Sequence, residues 1–194
     1  MGSSRRDFMR AGGLLLTGVG FAPTRQALAS SLSEGVERLT GAIEIIQMRS
    51  DALGSRVWFD PIGLFVKAGT TIRWTVRENV HTTTAYHPRN DHRPLRIPTT
   101  AVPWDSGVLV NPGSVFEVTL TVAGVYDYCC APHEAAGMVG RIVVGKALGP
   151  GAEPFDYWVG AAGTADWRHV PADARAAFPS VQSIIARRRV HVAA

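Results

Sequence analysis

Cysteine is scarce in this 194-residue chain, which has only Cys129 and Cys130, and the two are neighbours. Adjacent cysteines cannot build a disulfide framework, so the fold must rest on a packed core, for which 46% hydrophobic residues are sufficient. Long apolar runs are also lacking, because the N-terminal run has about 12 residues whereas a membrane span needs about 20. The sequence therefore excludes a disulfide-stapled domain and predicts no stable membrane span.

Excess charge is small once the N-terminal segment is set aside. The formal net charge of the chain is +4, and residues 1–29 carry four arginines against one aspartate. This segment accounts for +3 of the charge and leaves +1 for the rest of the chain. A balance so close to neutral argues against a nucleic-acid-binding surface.

The first 29 residues have the pattern of an export signal. The stretch S-R-R-D-F-M-R at 4–10 precedes the apolar run, and A-L-A ends at Ala29. A basic region, an apolar stretch and a small-x-small site are typical of a secretory signal peptide, and the paired arginines indicate the twin-arginine route. We expect cleavage near Ala29, a periplasmic or otherwise extracytoplasmic protein, and a linker over residues 30–42.

Residues 43–146 consist of short β-like runs separated by turn residues, with no helical period. In T-I-R-W-T-V-R, the side chains of Ile72, Trp74 and Val76 alternate with polar ones, which is the pattern of a half-buried strand. The run V-F-E-V-T-L-T-V at 115–122 alternates in the same way. This region predicts an all-β fold, an antiparallel Greek-key β-sandwich.

Two further segments flank or interrupt these strands. A long segment with four prolines lies between Tyr86 and Val108, and we expect Trp104 to anchor it to the sandwich. Residues 147–194 form a C-terminal helical extension with candidate helices at 171–178 and 179–189. We expect this extension to pack against the sandwich.

The stretch Y-D-Y-C-C-A-P-H-E-A-A-G-M at 126–138 brings three possible metal donors onto one loop. Cys130 offers a thiolate, His133 an imidazole and Met138 a thioether. Soft sulfur ligands beside imidazole select copper, and a His-His-Cys set with a weak axial methionine is the electron-transfer arrangement. Such a site needs one more histidine, and His81 is the first candidate.

At these residues the chain resembles a known family. The spacing C-x-P-H-x-x-x-G-M is similar to the copper loop of cupredoxins such as plastocyanin, pseudoazurin and halocyanin. The stretches N-V-H-T-T-T-A-Y-H-P at 79–88 and P-W-D-S-G at 103–107 resemble the halocyanin-type branch. The resemblance covers roughly residues 43–146, and it implies a cupredoxin-like sandwich in that range.

The resemblance also implies a function. It makes His81, Cys130, His133 and Met138 the ligands of one copper ion that cycles between Cu(I) and Cu(II), in a monomeric electron carrier that is not an enzyme. Its partners would be redox proteins, with His133 as the point where electrons enter and leave. One departure concerns Thr82, because plastocyanin and pseudoazurin have asparagine after the first histidine, where its side chain braces the cysteine loop.

The sequence also offers other assignments of the site. Zinc bound by Cys129, Cys130 and His133 is disfavoured, because neighbouring residues of a strand point to opposite faces. His87 and His92 are rival first ligands, and two more histidines, His169 and His191, lie in the C-terminal extension.

Most other copper or cysteine functions fit the sequence poorly. Copper oxidases need further centres built from H-x-H pairs, which this sequence lacks. A dinuclear copper site needs two cysteines spaced across a loop, and a Cys-His hydrolase needs a proton relay that suits this short loop poorly. The remaining alternative is a periplasmic copper carrier or storage protein.

Overall fold

The computed structural model describes residues 41–192. Its strands are β1 (Ile43–Ser50), β2 (Val57–Asp60), β3 (Gly63–Val66), β4 (Thr70–Val76), β5 (Thr84–Ala85), β6 (Val115–Leu120), β7 (Gly124–Cys129), β8 (Val139–Val144) and β9 (Arg189–Val190). The helices are α1 (Ala172–Ala177), α2 (Val181–Arg187) and two 3-10 helices, Ala131–Ala136 and Pro150–Ala152. The predicted signal at 1–29 and most of the linker at 30–42 lie outside the described residues.

The strands form a sandwich of two sheets, in the orders β2-β1-β4-β6 and β5-β7-β8-β3-β9. The predicted all-β sandwich with C-terminal helices is confirmed. Of the seven strand pairs in the described residues, five are antiparallel as predicted, but β1 runs parallel to β4 and β3 runs parallel to β8. Parallel neighbours need a crossover connection, and here the chain visits the opposite sheet between the two paired strands.

Aromatic side chains fill the space between the sheets. Ile72, Trp74 and Val76 of β4 are inaccessible to solvent, as the alternation predicts. The Trp74 ring lies 5.4 Å from that of Trp104 and 5.3 Å from that of Tyr128. The Trp104 indole also donates a hydrogen bond of 3.1 Å to Thr83 Oγ1. Trp104 therefore anchors the long segment after β5 to the core, as predicted.

The C-terminal extension packs on the second sheet. Helices α1 and α2 lie within the two predicted ranges, and the buried Ile184 of α2 contacts a cluster with Val125 and Val143. Ile185, the next residue, is 44% exposed, so the buried face of α2 is narrow. The sequence predicted helix up to Arg189, but that residue begins β9, which pairs with β3. Among residues 41–192, no helix is both long and apolar enough to cross a bilayer.

A buried charge cluster ties the extension to the strands. Asp127 of β7 accepts hydrogen bonds of 2.7 Å from Arg96 Nε and from Arg141 Nε. Arg96 also donates to the carbonyl of Gly151 at 2.9 Å, and Arg141 donates to the carbonyl of Pro179 at 3.0 Å. One carboxylate thus holds two arginines that reach different parts of the extension.

Candidate metal centre

Different parts of the fold supply the predicted donor residues. Cys130 directly follows β7, and His133 lies in the 3-10 helix Ala131–Ala136, which we call the loop helix. Met138 stands between the loop helix and β8. His81 comes from the connection after β4, where its backbone forms an isolated antiparallel bridge with Leu109. The structure therefore takes three candidates from one loop and one from a distant segment.

Local sequence explains the shape of the loop. The loop helix is followed by Gly137, whose φ of 80° is the left-handed conformation that glycine adopts without strain. Its N–H donates to the carbonyl of Glu134 at 3.0 Å. The N–H of Cys130 then donates to the carbonyl of Met138 at 3.0 Å, which closes the loop. Gly137 therefore turns the chain so that the backbone of Met138 can bond to that of Cys130.

Three donor atoms converge in this structure. His133 Nδ1 lies 3.3 Å from Cys130 Sγ, and His81 Nδ1 lies 3.8 Å from the same sulfur. The donor atoms of these three residues all lie within 4.8 Å of one another. Such spacing suits donors of one ion, since metal sites bind nitrogen at about 2.0 Å and sulfur at about 2.3 Å.

The donor set fits copper. Cys130 and His81 are inaccessible to solvent, and His133 is partly exposed. Met138 is fully buried and belongs to the same apolar cluster as Cys130. A thiolate, two imidazoles and a nearby thioether in an apolar setting are the arrangement typical of one type 1 copper site.

The electrostatic setting favours neutral imidazoles. Burial lowers the pKa of His133 and of His81, and the charge of His133 lowers the pKa of His81 further. A neutral imidazole has a lone pair to offer a metal ion. Burial raises the pKa of the Cys130 thiol, so in the absence of metal the proton stays on sulfur. Metal coordination deprotonates such a thiol.

Thr82 braces the cysteine loop in place of the expected asparagine. Its N–H approaches Cys130 Sγ at 3.3 Å, and its hydroxyl accepts a hydrogen bond of 2.7 Å from the N–H of Ala131. The hydroxyl also lies 3.2 Å from that of Thr84. A shorter side chain therefore makes the same kind of contact, from the residue after His81 to the backbone of the loop.

The two cysteines face opposite sides of β7. Cys130 belongs to the main core cluster, whereas Cys129 packs in a second cluster with Tyr86 and Val139. Burial raises the pKa of the Cys129 thiol, which favours an uncharged thiol there. Among the described residues, the metal-binding group includes Cys130 and leaves out Cys129. This separation argues against the zinc alternative.

The other histidines of residues 41–192 have contacts of their own. His87 Nδ1 accepts a hydrogen bond from the N–H of Arg89 at 3.1 Å, and His92 Nδ1 lies 2.7 Å from Asp166 Oδ2. His169 packs against a tryptophan, and His191 Nδ1 lies 2.6 Å from Asp60 Oδ1. Because the donor group of the described residues contains His81 and none of these, His81 is the first ligand that the geometry favours.

One buried acid in the loop, Glu134, was not predicted from the sequence. Glu134 is buried, although four alanine and proline residues of the loop helix are exposed. Its carboxylate pairs with Arg93 and Tyr86 of the long segment after β5. A glutamate beside alanines in a loop normally predicts a solvent-exposed side chain, so the sequence alone held no signal for this network.

Comparisons with known proteins show similarity to copper-binding proteins. The family described as copper binding proteins, plastocyanin/azurin family, matches residues 46–145. The chloroplastic plastocyanin of Hordeum vulgare is 34% identical over 60% of this chain and 73% of its own length. That of Oryza sativa subsp. indica is 32% identical over 72% of this chain and 86% of its own length.

A solved structure of native pseudoazurin from Hyphomicrobium denitrificans is 26% identical to the chain. It covers 55% of this chain and 77% of its own, with a TM-score of 0.45. The family match extends over about half of the sequence and contains all four predicted donor residues. The chain belongs to the plastocyanin/azurin family of copper-binding proteins.

Proposed function

We propose that the chain is an exported one-electron carrier in which His81, Cys130, His133 and Met138 hold one copper ion. The ion supplies the redox chemistry when bound, since copper alternates between Cu(I) and Cu(II) and so accepts and releases one electron. The convergence of three donor atoms within 4.8 Å carries the proposal. Met138, buried in the same cluster as Cys130, is the proposed weak fourth ligand.

Backbone hydrogen bonds hold the donor residues in place. The loop helix and its closing hydrogen bond fix Cys130 and His133 relative to each other, and the backbone bridge to Leu109 fixes His81. Donors held by packed elements rearrange little when the charge at the site changes, and small rearrangement favours fast electron transfer. Apolar surroundings of the sulfur also exclude water, which favours the lower charge of the reduced state.

His133 is the proposed entry and exit point for electrons. It is the partly exposed member of the donor group, whereas Cys130 and His81 are inaccessible. Exposed small apolar residues surround it along the loop, namely Ala131, Pro132, Ala135 and Ala136. Such a surface suits a small and transient contact with a redox protein, with a buried area under about 1,200 Å².

We also propose how the chain is divided and where it acts. Residues 1–29 would direct export by the twin-arginine route, and residues 43–146 would form the copper domain of a monomer. Residues 147–194 would belong to the same folded unit, since β9 extends the second sheet and the Asp127 cluster reaches this segment. The proposal contains no catalytic step, because the four donors all serve to hold the ion.

The visible spectrum of the copper-loaded, full-length chain tests the electron-carrier function. We expect a thiolate-to-copper band in the red that disappears on reduction and returns on reoxidation, with the metal retained through repeated cycles. Rapid loss of copper to a chelator during these cycles would instead favour the copper carrier or storage protein. Absence of the band in the loaded protein would contradict the proposed site.

The identity of the first histidine ligand can be tested by a pair of substitutions. We expect His81→Ala to abolish the red band, because it removes one of the three converging donor atoms. His87→Ala should retain the band, because His87 Nδ1 bonds to the backbone of Arg89 instead. Absorption spectra after equal copper loading check both variants, and a loss confined to His87→Ala would show that the assignment is wrong.

A further inference from the structure

Glu134 is a buried charged residue next to a proposed metal ligand. It follows His133 in the loop helix, yet its side chain is 8% exposed, whereas its alanine neighbours Ala135 and Ala136 are exposed. The side chain therefore points into the protein while the helix lies at the surface. Burying a carboxylate costs several kcal/mol unless it is paired and hydrogen-bonded, so its partners must be strong.

Both oxygens of the Glu134 carboxylate have buried partners. The Tyr86 hydroxyl donates to Oε1 at 2.7 Å. Arg93 donates to Oε2 from Nη2 at 2.9 Å and from Nε at 3.2 Å. Arg93 is in turn fixed by a hydrogen bond of 3.0 Å from Nη1 to the carbonyl of Asn90. The long segment after β5 thus holds the loop helix through a charged, hydrogen-bonded anchor.

The C-terminal extension packs against Tyr86 of this anchor and lies beside the end of the loop helix. The Phe178 ring packs against the ring of Tyr86 with centroids 5.8 Å apart. At the end of the loop helix, a Cβ placed on Gly137 would lie 3.4 Å from Ala177 Cβ and 3.4 Å from the carbonyl oxygen of Asp173. Helix α1 therefore lies beside the end of the loop helix, at a distance that a single methyl group on Gly137 would bridge.

The loop helix needs external support. It is a six-residue 3-10 helix, a form with poorer hydrogen-bond geometry than an α-helix and rarely stable for long stretches. Its own backbone bonds fix its ends, at Cys130 and at Gly137. The side chain of Glu134 is what ties the middle of the helix, next to His133, to the body of the protein.

We propose that Glu134 is a positioning residue for the copper centre, which Arg93 and Tyr86 hold in place so that His133 stays directed at Cys130. The inference rests on the proposed function, since it assigns a role toward the same ion. It predicts that weakening the anchor lowers the affinity for copper, and that this loss is larger than the loss of fold stability alone would cause. Loss of a partner that orients a ligand typically costs 10–100-fold in metal affinity.

Two substitutions weaken the anchor, and a third serves as the control. Glu134→Gln removes the charge at nearly constant shape, and Tyr86→Phe removes one hydroxyl while the pair with Arg93 remains, so the second variant serves if the first does not fold. Tyr126→Phe is the matched control, because the buried Tyr126 donates its hydroxyl to the carbonyl of Val122 at 2.7 Å, away from the loop helix.

The measurements are the rate at which bathocuproine disulfonate removes copper from the reduced full-length protein, the EPR spectrum of the Cu(II) form, and the Tm of the copper-free protein. We expect Glu134→Gln and Tyr86→Phe to speed removal roughly tenfold and to alter the EPR spectrum. Tyr126→Phe should lower Tm about as much as Tyr86→Phe, and leave the removal rate and the spectrum unchanged.

The inference is overturned if both anchor variants keep the unaltered removal rate and spectrum, or if Tyr126→Phe changes them equally. A red band in the unaltered protein tests the proposed function separately. The positioning role can therefore fail while the copper site stands.

Discussion

Replacing Cys130 by alanine is expected to abolish the red charge-transfer band and to weaken copper binding by more than about 100-fold, since loss of an orienting partner alone costs up to that much. The band arises from the thiolate, and Cys130 Sγ is the atom on which both histidine nitrogens converge. The alanine variant keeps the fold of the loop, because the N–H of residue 130 still bonds to the carbonyl of Met138.

The neighbouring cysteine provides the control for this experiment. Cys129→Ala removes the same atoms one residue earlier, from a side chain that packs with Tyr86 and Val139 on the other face of β7. We expect this variant to keep the band and to lose only modest stability. Equilibrium copper titration and absorption spectra check the pair. Loss of the band in Cys129→Ala, or its survival in Cys130→Ala, would contradict the site described above.

The sequence predicts the donor loop well because the signal is local. The residues Cys130, His133 and Met138 lie within nine positions, and Gly137 marks the turn between the last two. The sandwich was also predictable, since alternation along β4 reports directly which side chains face the core. Local patterns of this kind need no knowledge of what the segment contacts.

The pairing direction of the strands and the buried charges were not predictable in this way. The alternation of apolar and polar residues shows which side chains are buried, but not whether the neighbouring strand runs parallel or antiparallel. The sequences of β1 and β4 therefore do not indicate their parallel pairing. Arg96 and Arg141 would normally predict surface positions, yet both are buried beside Asp127. Their burial depends on partners 31 and 14 residues away in the chain. Sequence patterns cannot identify such long-range partners.

Replacing Asp127 by asparagine is expected to lower the free energy of unfolding by about 3–5 kcal/mol, which is the usual cost of removing one partner from a buried ion pair. The substitution keeps the shape of the side chain, but it leaves the guanidinium groups of Arg96 and Arg141, 1% and 8% exposed, without a counter-charge. For a domain of this size each kcal/mol corresponds to roughly 2–4 °C, so Tm should fall by roughly 6–20 °C.

An exposed pair on the first sheet separates the effect of burial from that of losing a charge. Arg73 and Glu117 also form an arginine–carboxylate pair across β4 and β6, but their side chains are 39% and 42% exposed. We expect Glu117→Gln to change stability by no more than about 1 kcal/mol, because water screens such pairs. Thermal and denaturant unfolding of the copper-free protein measure both variants. Both substitutions remove one negative charge from an ion pair. Equal losses of stability would therefore mean that the burial of Asp127 does not increase its contribution to stability. They would also mean that the Asp127 cluster does not hold the C-terminal extension against the strands.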